Sequence, residues 1–327
     1  MNKRGVTGLF SRMFLLRKRY ANPYDELTLL AVKDVMTKDV MCAQRDESLL
    51  DVAHMLIGAH ISCMVVSGKE KPIGIITERD FIKKLDMTKG HQENFLLQDL
   101  MTKKLVSVEP GTDLLSAQKL MRQNRFRKLV VIHNDELKGI MTQTDLCRAV
   151  ANLRTRILNA PAVRDVMTRK VLAVECDEGF LNVKKLMAQR DLGSVVVYEK
   201  DCICGIFTEF DLVSEFFMNP NRLRNAHMHE LVSKPIVCIS PEFDLVFVNK
   251  LMIERNFRRL PVMEGGKLIG IVTQTDVTRE IYKYLEQNKD VKYKKKDRYH
   301  APQFDIIKKE NIIFYKMKVS APAVKKK

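Results

Sequence analysis

Gly139-Ile140-Met141-Thr142-Gln143-Thr144-Asp145 closes a segment that opens at Asp99-Leu100-Met101-Thr102, and both ends of that segment recur along the chain. The opening returns as Asp34-Val35-Met36-Thr37, Asp165-Val166-Met167-Thr168 and the weaker Glu230-Leu231-Val232-Ser233, at spacings of 65, 66 and 65 residues. The closing returns in the same register as Gly74-Ile75-Ile76-Thr77, Gly205-Ile206-Phe207-Thr208 and Gly270-Ile271-Val272-Thr273. Two separated landmarks sharing one period define a fourfold internal repeat. A unit of this length has too little core to stand alone, so the repeats are expected to pair.

Between the landmarks each repeat carries apolar residues at helical spacing: Leu49, Val52 and Leu56; Leu114, Ala117 and Met121; Phe180, Val183 and Met187; Leu245, Val248 and Met252. The Met members share the inward column of Leu56 and read as core filling. A β-branched run follows, then a polar turn, then the Gly-Ile-x-Thr strand. Asn134-Asp135-Glu136 and Glu264-Gly265-Gly266-Lys267 have the length and chemistry of hairpin turns. With a second helix after each Thr, the predicted unit is strand, helix, strand, strand, helix.

The repeats also alternate. The first and third close with Thr-Glu-x-Asp (Thr77 to Asp80, Thr208 to Asp211), the second and fourth with Thr-Gln-Thr-Asp (Thr142 to Asp145, Thr273 to Asp276). The second and fourth reach their central strand through Arg125-Phe126-Arg127-Lys128 and Asn256-Phe257-Arg258-Arg259, where the others have His60-Ile61-Ser62-Cys63 and Asp191-Leu192-Gly193-Ser194. Duplication of a two-repeat module explains both columns and places the module boundary near Asn152 to Pro161.

The h-x-D-h-M-T opening and G-h-h-T-x-x-D closing, in this element order, resemble the CBS domain over residues 32 to 285. The resemblance implies an α+β fold with CBS repeats at 32–86, 97–152, 163–218 and 228–285, flanked by a basic N-terminal segment (1–31) and a basic C-terminal tail (286–327). It implies pairing through the sheets into two Bateman modules, whose clefts bind adenosine compounds. Ribose would then be held by Thr77 and Asp80, Thr142 and Asp145, Thr208 and Asp211, and Thr273 and Asp276. Adenine would lie against Val40, Leu105, Val171 and Ile236, its edge read by backbone groups near the first strand. Two other readings stay open. Thr followed three residues later by an acid is also a helix capping box. The basic column of Arg125, Arg127 and Lys128, with Arg255, Arg258 and Arg259, suits phosphates through fixed-charge guanidinium contacts, but also suits a solvated strand entrance.

Composition narrows the function classes. The chain's 327 residues contain no apolar run of the ~20 residues that a membrane-spanning helix requires. Seven scattered cysteines suit reduced thiols in a cytoplasm, and Cys202-x-Cys204 alone lacks the ligands of a zinc site. His227-Met228-His229 reads as a surface pair, and no phosphate-binding loop or nucleophile elbow occurs. No metal or catalytic residue is expected. The net charge of +16 sits mainly in the ends: residues 1–31 hold six Lys/Arg against two Asp/Glu, and residues 286–327 hold thirteen against five. Those ends suit nucleic acid, through Lys292 to Lys296 beside Tyr293 and Tyr299. The stretch from Ile312 to Val319 alternatively suits a strand docked on the modules. The leading expectation is a non-enzymatic cytoplasmic sensor of AMP, ADP or ATP, with S-adenosylmethionine as the other adenosyl ligand, shifting the two modules relative to each other. Its output would pass to a separate effector protein or through a homodimer. The competing expectation is a nucleic-acid-binding regulator that uses the basic ends.

Overall fold

The computed structural model describes residues 22–68, 71–85, 95–153, 157–200, 202–223, 225–291, 301–309 and 311–318. Residues 1–21 of the basic N-terminal segment, and Lys292 to Lys296 with Tyr293 and Tyr299 of the basic tail, lie outside the described residues. Helix α1 (Pro23–Thr28) precedes the four units. The first contains β1 (Cys42–Gln44), α2 (Leu49–Gly58), β2 (Cys63–Gly68), β3 (Lys71–Thr77) and α3 (Glu78–Lys84). The second contains β4 (Ser107–Val108), α4 (Leu114–Asn124), β5 (Lys128–His133), β6 (Glu136–Thr142) and α5 (Gln143–Ala151). The third contains β7 (Ala173–Glu175), α6 (Phe180–Arg190), β8 (Ser194–Glu199), β9 (Cys202–Thr208) and α7 (Glu209–Met218). The fourth contains β10 (Ile236–Ile239), α8 (Leu245–Glu254), β11 (Arg259–Glu264), β12 (Lys267–Thr273) and α9 (Gln274–Gln287), and a hairpin of β13 (Phe304–Lys309) and β14 (Ile312–Met317) follows.

Local chemistry accounts for these elements. All the helical stripes expected from sequence are buried, Met121, Met187 and Met252 among them. Asn134 and Asp135 have φ of 51° and 62°, and Gly265 and Gly266 have 57° and 81°. Positive φ at both central residues is the two-residue turn whose twist matches an antiparallel pair, so both hairpins close tightly. The acid of each opening motif accepts the N–H three residues before it, as Asp34 does from Ala31 at 2.9 Å and Asp99 from Leu96 at 3.1 Å. That bond caps a single helical turn ahead of the first strand.

Each opening motif then crosses to the neighbouring repeat. Thr37 and Ile140 exchange backbone hydrogen bonds at 2.9 and 2.9 Å, and Thr102 and Ile75 do so reciprocally at 2.8 and 3.0 Å. Thr168 with Ile271, and Ser233 with Ile206, repeat the arrangement in the second half. The motif Met lies on the closing Gly of its partner repeat: a Cβ on Gly139 would stand 2.7 Å from both the Met36 sulfur and the Thr37 carbonyl oxygen. The two landmarks are therefore the two sides of one contact. Gly139→Ala is expected to cost about 1–3 kcal/mol of stability through overpacking. Urea denaturation checks this, and an unchanged midpoint would show that the contact relaxes freely.

The two sheets of each pair stack face to face, through Val65, Val130 and Ile140 in one module and Val196, Ile236, Cys238 and Met263 in the other. Helices join the modules. Helices α2 and α3 pack on α6 and α7, and α4 and α5 pack on α8 and α9. One apolar core thus spans repeats one and three, and a second spans repeats two and four. Phe81 meets Phe217 edge-on across the first interface, with ring centroids 5.5 Å apart. The docked strand read from sequence forms as β14, which runs parallel to β10, while β13 pairs with its outer edge.

Candidate nucleotide clefts

In every repeat the first residue of the second helix donates its N–H to the strand-entrance carbonyl: Gln143 to Arg127 at 2.9 Å, Gln274 to Arg258 at 3.0 Å, Glu209 to Gly193 at 3.1 Å and Glu78 to Ser62 at 3.3 Å. This bond sets the entrance column beside the Thr-x-x-Asp turn. Where the four entrances meet, the protein forms a cleft-like cavity of about 860 Å³, open to solvent.

The Thr-x-x-Asp turns of repeats two and four bring their Thr to this cavity, and that of repeat two its Asp as well. Thr142 and Asp145 line it together with Thr37, Val40 and Met41 of the partner repeat. Thr273 lines it with Thr168, Val171 and Leu172, and Asp276 is fixed to Thr273 by bonds of 2.7 and 3.0 Å. Each cleft is therefore made by the closing motif of one repeat and the opening motif of the other. Asp276 itself does not line this cavity, nor do Thr77, Asp80, Thr208, Asp211, Leu105 and Ile236.

All four turns are capping boxes. Each Asp accepts from the backbone N–H of its Thr at 2.8–3.0 Å and from the Thr hydroxyl at 2.7 Å, through the same oxygen, Oδ2. The other oxygen distinguishes them. Asp80 Oδ1 accepts from the Thr102 hydroxyl at 2.8 Å and pairs with Lys84 at 2.7 Å, and Asp211 Oδ1 accepts from the Ser233 hydroxyl at 3.1 Å. Asp80 thus has two partners at this oxygen and Asp211 one. Asp145 and Asp276 pair at this oxygen with Arg148 and Arg279 of their own helices, each at 3.0 Å. Since an ionised carboxylate oxygen accepts more than one hydrogen bond, Asp145 keeps capacity toward the cavity it lines, and Asp276 and Asp211 keep the same capacity at this oxygen. Burial pushes the Asp145 and Asp211 carboxyls up, against the lowering effect of the Thr bonds.

The cavity is strongly basic, with ten Lys/Arg and three Asp/Glu in its lining. Arg125, Arg127, Lys128, Arg258 and Arg259 of the expected column all line it, and Arg79, Arg148, Lys170 and Arg279, not singled out from sequence, join them. Arg255 does not. It stands one position ahead of the left-handed residue Asn256 (φ 56°) and remains exposed at the end of α8.

Arg127, Lys128 and Arg258 of the column already hold partners, whereas Arg125 is exposed. Arg127 donates to both oxygens of Glu209 at 2.8 and 3.0 Å, and Arg79 donates to Glu209 at 2.9 Å, so one acid of repeat three binds both repeats of the other module. Arg258 reaches Glu78 more loosely, at 3.4 Å. The Glu209 side chain is 2% exposed. Burial alone would raise its carboxyl, but Arg127, Arg79 and Arg259 outweigh this and hold it at about 2. Burial in turn depresses Arg259 to about 10, with Glu209 opposing. A Cβ on Gly193 would lie 3.1 Å from the Arg259 guanidinium and 3.2 Å from the Glu209 carboxylate, so the glycine lets these groups converge there without displacement. The even-repeat Gln residues make the neutral counterpart, with Thr144 donating to Gln274 at 2.7 Å and Gln143 donating to Thr278. The alternating Glu and Gln columns are therefore complementary surfaces of the module junction.

Among the described residues no group of three or more His, Cys, Asp or Glu is placed to hold a metal, and no helix is long and apolar enough to cross a membrane. His227 and His229 stack on one another and face the carbonyls of Asp177 and Cys176.

The sequence profile of the CBS domain matches residues 32–86, 97–152, 163–217 and 228–283. Protein MJ1225 of Methanocaldococcus jannaschii is 25% identical over 193 residues, which cover 53% of this chain and 67% of that one. Protein MK0525 of Methanopyrus kandleri is 31% identical over 122 residues, or 37% of this chain and 62% of the relative's length. The crystal structure of MJ1225, proposed as an archaeal homolog of g-AMPK, superposes with a TM-score of 0.69 at 17% identity, covering 77% of this chain and 100% of that one. A conserved protein from Pyrococcus horikoshii superposes with a TM-score of 0.54 at 20% identity, over 76% of this chain and 99% of that one. At these identities the superpositions concern the fold.

Proposed function

The chain belongs to the CBS-domain family, with four copies in tandem, and from that premise we propose that it is a regulatory protein that binds adenosine nucleotides in the clefts of repeats two and four. The observation that carries the reading is the convergence of Thr142, Asp145 and Thr273, each beside the opening motif of its partner repeat, on one basic cavity. Ribose hydroxyls donate to Asp145 and Asp276, and adenine lies against Val40 and Val171. The N–H groups of Val40 and Val171 make only local bonds, at 3.0 and 3.1 Å, to carbonyls two residues back. Such bonds are readily exchanged for an acceptor on a base edge. The phosphates point inward to Arg127, Lys128, Arg258 and Arg259.

Binding there acts on the module junction. Phosphates that engage Arg127 compete with Glu209 for the same guanidinium, and Glu209 is one of the residues that tie repeat three to the first module. A nucleotide shifts the arrangement of the modules only by its differential affinity for the two arrangements, and this competition supplies it. AMP, ADP and ATP then differ in how much of the arginine column they take, and S-adenosylmethionine, with a cationic sulfonium in place of phosphate, is disfavoured by it. Calorimetric titration of the four ligands tests the reading. Two sites are expected, with ATP tightest, and Asp145→Asn and Asp276→Asn should each remove one. Absence of heat with all four ligands, or binding indifferent to both substitutions, would refute it.

A further inference from the structure

The C-terminal hairpin stands where a ligand would in the third cleft, an inference that rests on the nucleotide reading above. In three repeats the N–H at the start of the first strand, on Val40, Leu105 and Val171, bonds to the carbonyl two residues back, at 3.0, 3.1 and 3.1 Å. In the fourth, Ile236 donates instead to the Asn311 carbonyl at 2.8 Å and pairs in register with Ile312. Ile236 is 2% exposed, whereas its three counterparts are half-buried. Ile312 and Phe314 pack on the apolar cluster that contains Ile236 and is flanked by Ile206, two residues ahead of Thr208. A backbone donor and an apolar slot are what a purine would use at this cleft, and the chain's own strand takes both.

We propose that residues 311–314 are a built-in occupant of the cleft of Thr208 and Asp211, excluding adenosine ligands there, and that undocking of β14 opens a third site. Docked strand and nucleotide are mutually exclusive, so each weakens the other by the same factor. The nucleotide reading supplies a two-site baseline against which a third is counted.

The test titrates ATP into the full chain and into the full chain carrying Ile312→Asp and Phe314→Asp, with hydrogen exchange followed at the β14 amides of both. The unmodified chain is expected to show protected amides and two sites. The double variant should exchange at least about tenfold faster at β14 and bind three equivalents, the third vanishing when Asp211→Asn is added. A third site in the unmodified chain with its hairpin protected, or a released hairpin with the count still at two, overturns the proposal. Amides that stay protected in the variant overturn the premise that Ile312 and Phe314 seat the strand. If the unmodified chain binds no ATP, the nucleotide reading itself has failed and takes this inference with it, and the baseline count separates that failure from the others.

Discussion

Replacing Glu209 by Gln is expected to tighten ATP binding while weakening the fold. The carboxylate is almost fully buried and accepts from Arg79 and Arg127 at 2.8–3.0 Å, with Arg259 close by. Gln keeps the shape and removes the charge, leaving guanidinium groups to face one another. A carboxyl moved from its ordinary 4.5 to about 2 corresponds to about 3 kcal/mol of stability at neutral pH. Because the folded value is depressed, that contribution is complete above the unfolded value and is lost as pH falls from about 4.5 toward 2. Urea denaturation across this range should show an acid slope in the wild type that Glu209→Gln lacks. The same substitution frees Arg127 from its competitor, so ATP affinity should rise at least about tenfold, a gain of about 1.4 kcal/mol. ATP should also raise Tm more in the variant than in the wild type, because a bound phosphate replaces the missing anion. Unchanged affinity would separate the Glu209 knot from the nucleotide clefts.

The second large effect is expected at Arg258. Its pair with Glu78 is long, at 3.4 Å, and the side chain is 45% exposed, so its loss costs the fold little. Arg258→Glu places a second acid beside Glu78 in the fourth repeat's half of the cavity. Loss of a charge-assisted contact together with like-charge repulsion should weaken ATP there by about a hundredfold or more. Adenosine, which has no phosphate, should bind that cleft as before, and the second repeat's cleft should retain its affinity. Two-site calorimetry with both ligands reads the difference. Equal losses for ATP and adenosine would place the arginine's effect in the fold and not in phosphate binding.

What the sequence made legible is what local chemistry decides. The helical stripes ending at Leu56, Met121, Met187 and Met252, the two-residue turns at Asn134-Asp135 and Gly265-Gly266, and the Thr-x-x-Asp caps all depend on residues within a few positions of one another. The strand of Ile312 to Met317 was legible for the same reason, although its seat on β10 was not. Contacts between repeats were hidden because a period reports equivalence and not adjacency. Met36 and Gly139 each stood out as landmarks, yet nothing in their spacing shows that one rests on the other. From sequence the arginine column suits either phosphates or a solvated strand entrance, and its present partners, Glu209 and Glu78, stand out only as part of the alternation. A usable signal was there: the acid of Thr-Glu-x-Asp and the bases of the entrance column occur in opposite repeats. Alignment on the left-handed residues Arg125 and Asn256 puts Arg255 outside the column, opposite Asn124.

The most direct measurement is a crystal structure of the chain grown with a non-hydrolysable ATP analogue. The account predicts ribose at Asp145 and Asp276, both triphosphates within the central cavity, and Arg127 turned from Glu209 toward phosphate. Density confined to the turns at Asp80 and Asp211, or a central cavity without nucleotide at saturating ligand, would contradict it.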